Sequence, residues 1–318
     1  MPELPEVETV RAGLAPSLTG AVVNSIEILD SRSLKRHLGG PADFVSNLTG
    51  RRVLGVVRRG KFLWMPLESR EGDLGFGTAE GPKPLALVGH LGMSGQMLLR
   101  HPGHEADKLT RVIIHFTEES GLATEFRFVD QRIFGSLAID VLVPTPDGKP
   151  GGYSNGVAVG QWWENLIPET AAHIARDPLD PAFDERSVLA KLRTKNTGIK
   201  RALLDQQLWS GIGNIYADET LWNTKLHYDQ PANTISAAKA KEILQSVREI
   251  LQRAVEVGGT SFDDQYKNVN GQSGYFEISL NAYGRTGTPC NRCGANIVRE
   301  EWANRGSHFC PKCQRRKA

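Results

Sequence analysis

Met1-Pro2-Glu3-Leu4-Pro5-Glu6-Val7-Glu8-Thr9-Val10 opens the chain. Proline in second position is small enough to permit removal of the initiator methionine, which would leave its ring nitrogen as a free secondary amine. An α-amino group titrates near ~8, so a useful fraction is unprotonated at neutral pH. Attack of such an amine on a carbonyl carbon is the Schiff-base route of covalent catalysis. A secondary amine gives an iminium that is cationic without a further proton, and Glu3 supplies a carboxyl one residue away as acid or base. Pro5 suits the first helical position, and Val7, Val10, Leu14 and Leu18 recur at helical spacing. Glu6 and Glu8 complement the positive end of the helix dipole. That dipole disfavours an ammonium at Pro2 but also favours ionised Glu3, which works against its use as an acid. Taken alone, ten such residues are more often an ordinary Pro-capped helix start, so the chemistry needs support from the rest of the chain.

The far end carries all four cysteines, as Cys290-x2-Cys293-x16-Cys310-x2-Cys313. Two close pairs at this separation match a four-thiolate zinc site. With no other cysteine and nothing indicating secretion, disulfides are the weaker reading. Four thiolates leave no open coordination position, so the zinc is structural, and a ribbon this small depends on it for stability. From Cys290 onward there are seven basic and two acidic residues; that segment carries +5 and, with +2 for the whole chain, leaves −3 for the remainder. A compact cationic end on a near-neutral body suits a polyanion, although a solvated tail has the same charge. Between the cysteine pairs, Asn304-Arg305-Gly306-Ser307-His308 reads as a polar turn able to bring Arg305 to a phosphate.

A chain of 318 residues with 40% hydrophobic and 23% charged residues can hold two to three modules of a soluble globular protein. No uncharged apolar run approaches the ~20 residues of a membrane span, and the acidic amphipathic start does not resemble a signal peptide. The expected compartment is the cytoplasm, with the nucleoid inside it. Arg51–Trp64, Val88–Leu99, Arg111–Phe116 and Glu125–Ile139 read as strands. Glu71–Pro84 and Pro144–Gly160 read as surface loops or insertions, and Asp177–Pro181 as a linker. From Glu185 to Val257 the period is helical. Inside it, Ser210-Gly211-Ile212-Gly213-Asn214 is a turn opening a helix, in isolation more often a plain helix–helix turn, whose exposed N–H groups would suit a phosphate, with Lys195 and Lys200 nearby. A polar stretch from Gly258 to Tyr275 has the length of a functional loop, and Asn281–Arg285 reads as a strand leading into the ribbon.

In this order the Met1–Val10 start, Arg58-Arg59-Gly60-Lys61, His90-Leu91-Gly92-Met93-Ser94-Gly95, Asp130-Gln131-Arg132-Ile133-Phe134-Gly135, Gly211–Ala217, Tyr283-Gly284-Arg285 and the cysteine ribbon resemble the formamidopyrimidine-DNA glycosylase family, related to endonuclease VIII. The resemblance covers nearly the whole chain. It implies an α+β multidomain protein: an N-terminal helix with a two-layer β-sandwich (1–176), a helix–two-turn–helix domain with the lesion loop (177–280) and a zinc finger (281–318), with DNA in the cleft between domains. It implies a bifunctional enzyme, a glycosylase (hydrolase) and an abasic-site lyase of base excision repair, acting as a monomer on damaged duplex DNA. Pro2 would attack C1′, Glu3 would manage protons as the sugar opens, Lys61 would assist elimination and Arg305 would clamp phosphate. An enzyme acting on a base inside a duplex must extrude it, at a cost of a few kcal/mol. Met93, Arg132 and Phe134 match the residues that fill the void; on a strand, Arg132 and Phe134 would face the same side. Lys195, Lys200, Asn214 and Tyr283 match phosphate contacts, and Glu6, His90 and Lys108 complete the DNA-binding set. Gln131 and Ile133 depart from the family's usual Asp-Pro-Arg-Arg-Phe-Gly. Preference for 8-oxoguanine and formamidopyrimidines is likewise implied by the resemblance. The competing readings are an endonuclease VIII-like enzyme for oxidised pyrimidines and a zinc-ribbon DNA-binding protein without catalysis.

Overall fold

The computed structural model describes residues 2–70, 84–259, 269 and 280–316. The expected loop at 71–84 lies outside these residues apart from Pro84, as does the lesion loop at 260–275 apart from Val269. The chain forms two compact units. The first comprises Met1–Pro2, Glu6–His173 and Ser261–Gly274, and the second Glu3–Pro5, Ile174–Thr260 and Tyr275–Ala318. Among the described residues no helix is long and apolar enough to cross a membrane.

In chain order the first part reads α1 (Leu4–Leu18), β1 (Val22–Ile28), α2 (Gly40–Leu48), β2 (Val57–Arg59), β3 (Phe62–Pro66), β4 (Leu85–His90), β5 (Gly95–Arg100), β6 (Thr110–Thr117), β7 (Ala123–Asp130), β8 (Ser136–Pro144) and β9 (Leu166–Pro168). Two antiparallel sheets result, β1-β6-β7-β5 and β2-β3-β4-β8-β9. The α1 stripe of Val7, Val10, Leu14 and Leu18 is buried in one core with Phe44 of α2, Leu63 and Met65 of β3, and Phe126 and Phe128 of β7. Each such aliphatic side chain contributes about 1.5–3 kcal/mol by leaving water. Along β3 the residue between, Trp64, points the other way, into a second cluster with Val57, Val88, Ala158, Trp163 and Ile167. Both faces of β3 and β4 are therefore covered, and their apolar residues run without alternation.

Three expectations change here. The stretches 88–99 and 125–139 are each two strands, interrupted at 91–94 and 131–135. Gly92 (φ +62°) and Ile133 (φ +54°) adopt left-handed backbone, which cannot continue a strand. Arg132 and Phe134 consequently lie on a loop and not on one strand face. The 144–160 stretch is no mere surface loop either, because Gly151, Ser154 and Ala158 are buried against the outer face of the second sheet.

The second unit contains α3 (Glu185–Thr194), α4 (Ile199–Leu203), α5 (Asn214–Asn223) and α6 (Ala237–Glu256), then a hairpin of β10 (Val298–Trp302) and β11 (Arg305–Phe309). Asp184 and Ser236 cap α3 and α6 by accepting from the N–H groups of Ser187 and Lys239. Ala240, Ile243, Leu244, Val247, Ile250, Leu251 and Ala254 bury one stripe of α6 in a core shared with Leu4, Trp209 and Tyr216. The hairpin closes through Ala303 (φ +47°) and Asn304 (φ +59°), the paired left-handed conformation of a two-residue turn matched to strand twist. The 177–181 segment, read from sequence as a linker, is an ordered turn, with Asp177 buried and Arg176 paired to Asp180 at 2.8 Å. Residues 281–285 also form a turn. The backbone N–H groups of Asn281, Ala282 and Tyr283 all donate to the Glu219 carboxylate (2.8, 2.8 and 2.9 Å), which takes the place of a strand partner.

Candidate functional site

In the second unit the opening motif meets the Gly-Asn turn. The Glu3 carboxylate accepts N–H bonds from Gly213 (2.6 Å), Ile215 (2.9 Å) and Tyr216 (3.4 Å) at the start of α5. Leu4 N–H donates to the Gly211 carbonyl at 3.0 Å. A Cβ on Gly213 would stand 2.3 Å from the Glu3 carboxyl carbon, and one on Gly211, at φ +92°, 2.7 Å from Leu4. The glycines therefore serve close approach of the N-terminal segment. This corrects the expected phosphate site: the N–H groups at this helix start are occupied by the protein's own carboxylate, an anion where the dipole favours one.

Further along the same unit, Lys200 is completely buried. Its Nζ pairs with Asp218 at 2.6 Å and donates to Ser307 Oγ (2.8 Å) and the Gly306 carbonyl (3.0 Å). Burial pushes its ammonium below the ordinary range, with Asp218 opposing. The expected phosphate contact is thus corrected: an ammonium enclosed by three protein partners has none left for DNA, and Lys200 instead anchors β11 close to the hairpin turn. Asn214 Nδ2 reaches the same Gly306 carbonyl at 3.0 Å, and Asp218 accepts the His308 N–H at 2.9 Å. Arg305, one residue before this anchored carbonyl, is exposed. An open cleft of about 500 Å³ lies between α4 and the hairpin, lined in part by Lys195, Arg201, Asp205, Trp302 and Arg305. Lys195 pairs with Asp205 at 2.7 Å but keeps 40% of its side chain exposed. Tyr283 sits edge-on to His308 at 4.7 Å; burial, and then the charge of Glu3, raises its phenol above the usual range.

In the first unit, two loops lie back to back. A Cβ on Gly92 would come within 2.5 Å of Gly135 N, so only glycine lets them meet. Asp130, fully buried, accepts from Ser94 Oγ (2.6 Å), Arg132 N (3.1 Å) and Gly135 N (2.7 Å), joining both loops to one carboxylate. Around it Met93 is 40% and Phe134 50% exposed, and Arg132 is exposed as well. Large apolar side chains held outward on pinned loops are what base replacement needs, and neither is a core residue. His90 ends β4, half-buried, and its Nδ1 accepts the Gly92 N–H at 3.1 Å, so the proton of the neutral ring sits on Nε2. Burial, with the charges of Arg36, Lys35 and Lys61, pushes its pKa down to about 4. Lys61 follows Gly60 in the β2–β3 turn, half-buried; Lys108 is exposed before β6, and Glu6 is buried on α1. Asp130, Asp218 and Glu219 were not singled out from sequence. Two adjacent acids in the otherwise apolar run from Ile215 to Trp222 were the available signal, since nothing in that run offers them a solvent face.

Cys290, Cys293, Cys310 and Cys313 bring their sulfurs within 4.8 Å of one another, and all four are free thiols. Trp222 Nε1 donates to Cys290 Sγ at 3.3 Å and Cys313 N to Cys310 Sγ at 3.4 Å, N–H bonds of the kind that support thiolates. The donor set fits one structural zinc, which would bind all four sulfurs and hold the ribbon.

Residues 1–137 match the formamidopyrimidine-DNA glycosylase N-terminal domain, 174–265 its H2TH domain, and 287–316 the zinc finger found in FPG and IleRS. Sandwich, H2TH helices and four-thiolate ribbon in one chain define a zinc-ribbon DNA glycosylase. The formamidopyrimidine-DNA glycosylase of Leifsonia xyli subsp. xyli is 53% identical over 315 residues, 99% of this chain and 100% of that protein. A mutant Lactococcus lactis FPG solved with Fapy-dG-containing DNA is 31% identical, with a TM-score of 0.77 over 99% of this chain and 100% of that one. MutM in complex with carbocyclic 8-oxo-G-containing DNA is 32% identical, with a TM-score of 0.76 and the same coverage. The chain belongs to the formamidopyrimidine-DNA glycosylase family.

Proposed function

We propose that this member of the family excises oxidised purines from duplex DNA through Pro2 and then cleaves the strand by β- and δ-elimination. The observation that carries the reading is the Glu3 clamp. Three N–H groups at the start of α5 hold the carboxylate next to Pro2, so the peptide leading to the amine has one defined position. With Met1 removed, the Pro2 lone pair forms a bond to C1′ as the base leaves with a proton. The amine then loses its own proton, O4′ leaves C1′ and is protonated with Glu3 as the relay, and a cationic iminium remains. That iminium acidifies the C2′ hydrogens, and loss of one expels the 3′-phosphate; a second elimination releases the 5′-phosphate.

The remaining roles divide between the units. Met93, Arg132 and Phe134 fill the gap left by the extruded base, a guanidinium and an apolar ring substituting for lost stacking. Lys61 assists the eliminations and holds phosphate, while neutral His90 through Nε2–H, Lys108, Lys195, Asn214, Tyr283 and Arg305 take phosphates and Glu6 completes the DNA-binding set. Segment 1–176 is assigned the chemistry, 177–280 the DNA grip and lesion loop, and 281–318 the phosphate clamp. The enzyme works as a monomer in the cytoplasm, alongside the nucleoid. Fapy-dG and 8-oxo-G in the DNA of its solved relatives support the purine preference. Because Lactococcus lactis FPG was also solved with an oxidised-pyrimidine-containing DNA, paired assays on 8-oxoguanine and thymine glycol separate it from an endonuclease VIII-like spectrum.

Borohydride trapping on an 8-oxoguanine duplex tests the reading. A correctly processed chain gives a covalent adduct that is lost when Met1 is retained and the Pro2 nitrogen stays an amide, and processing is checked by intact mass. Binding without adduct or nicking from a Met1-free chain would leave only a DNA-binding protein.

A further inference from the structure

The segment 144–160 has no part in the chemistry above, yet residues 150–153 are joined to the turn that carries Lys61. β2 is the edge strand of its sheet, with β3 on one side. On its other side Tyr153 completes a two-way backbone bridge: Arg58 N donates to the Tyr153 carbonyl at 3.0 Å and Tyr153 N to the Arg58 carbonyl at 2.7 Å. The approach is close enough to require glycine. A Cβ on Gly152 would stand 2.4 Å from the Arg58 carbonyl oxygen and 2.7 Å from the Trp64 ring. Arg59 Nη2 reaches the Pro150 carbonyl at 3.4 Å.

The side chains repeat the connection. The Tyr153 ring lies 5.2 Å from the Arg11 guanidinium and 5.9 Å from that of Arg58. Arg58, 2% exposed, donates Nε to Glu8 Oε2 at 2.9 Å and Nη1 to the Gly60 carbonyl at 3.3 Å. Glu8 in turn binds Arg11 at 2.7 Å. Gly60 is in the left-handed region at φ +56°, and Lys61 follows it directly. The Tyr153 ring therefore caps two guanidiniums, one of which grips the carbonyl immediately before Lys61.

We infer that the 150–153 segment is a brace for the Lys61 turn, with Tyr153 and Arg58 as positioning residues for the elimination steps. The inference rests on Lys61 acting as proposed above. An unbraced edge strand of three residues lets its turn shift, and displacement of a catalytic group by about 1 Å costs up to ~100-fold in rate. A cation–π contact depends on the ring and not on the hydroxyl, so phenylalanine should serve and alanine should not.

The test is a rescue and a double-mutant comparison on the full-length zinc-loaded enzyme, with an abasic-site duplex as substrate. Tyr153→Ala is expected to lower kcat for nicking roughly tenfold with KM unchanged, and Tyr153→Phe to retain wild-type kinetics. In a Lys61→Ala background, Tyr153→Ala should cost nothing further. Independently of turnover, the ¹³C signal of reductively methylated Lys61 should move in Tyr153→Ala and stay in place in Tyr153→Phe. Should the alanine variant unfold, Tyr153→Leu keeps apolar volume without a ring and serves the same comparison. An unchanged kcat, an equal loss with and without Lys61, or a phenylalanine variant as impaired as alanine would each overturn the brace. A wild-type chain that gives no borohydride adduct would sink the functional reading instead. The Lys61 signal would still report on the brace.

Discussion

The loops that present Met93, Arg132 and Phe134 and the hairpin that presents Arg305 solve the same problem with different chemistry. Each holds exposed side chains on a backbone pinned to a buried carboxylate. In the first unit the acid is Asp130, and its bonded partners are a serine hydroxyl and two backbone N–H groups. In the second it is Asp218, and its partners include the buried ammonium of Lys200. One anchor is a single charge held by dipoles; the other is an ion pair taken out of water. The ion pair is no more stabilising for being charged, because desolvation offsets its attraction. It is far less tolerant of losing one member.

That asymmetry fixes the order of expected effects. Lys200→Met strands Asp218 as an uncompensated buried charge and should cost about 3–5 kcal/mol in urea unfolding. A loss below about 1 kcal/mol would mean the two anchors are alike after all. Acid should distinguish the units in the opposite sense, through His90, which accepts the Gly92 N–H in the loop beside Asp130. Its folded pKa of about 4 lies below the ordinary 6.5. The unfolded chain therefore binds the proton first as pH falls. Stability from neutral His90 is complete above about 6.5 and lost progressively towards pH 4. Its ceiling is about 3 kcal/mol, since each tenfold change in proton affinity is worth ~1.4 kcal/mol. Unfolding measured across that window should show a slope that His90→Asn flattens; equal slopes would remove His90 from the account. Smallest is Asp130→Asn, which keeps the shape and one acceptor oxygen but turns a donor towards a donor. It should cost about 1–3 kcal/mol and reduce extrusion of the base, read with a fluorescent base analogue opposite the wedge. Unimpaired extrusion would show that the loops need no such anchor.

What the sequence disclosed was local. Val7, Val10, Leu14 and Leu18 announce a helix face, and the cysteine spacing announces a metal, because both patterns fall within a few turns of chain. The layout of the fold was legible through family resemblance, which is the same information carried by order. Contacts over long separations were not legible. Glu3 and Gly213 are 210 residues apart, and no pattern at either end names the other. The broken strands were hidden for another reason. Phe126, Phe128 and Val129 before the break and Ile133, Phe134 and Leu137 in and after it keep a strand-like apolar pattern, and a β-branched residue at Ile133 gives no sign of a left-handed backbone. The Gly/Pro-rich 144–160 stretch reads as a surface loop or insertion, and its composition gives no sign that Gly151 and Gly152 serve close packing against Leu166, Arg58 and Trp64.

The Glu3 clamp also sets a timetable. A ribosome makes the N-terminal motif first, but the clamp's three donors end at Tyr216. At ~5–20 residues per second, roughly 10–40 s pass before that helix start has been synthesised. Until then these three donors are absent, and on the function proposed above the leading residues stay open to the peptidase that removes Met1. On that proposal, late closure of the clamp reconciles two demands on one terminus: it is loose while the Pro2 amine is being unmasked, and fixed once the amine is needed.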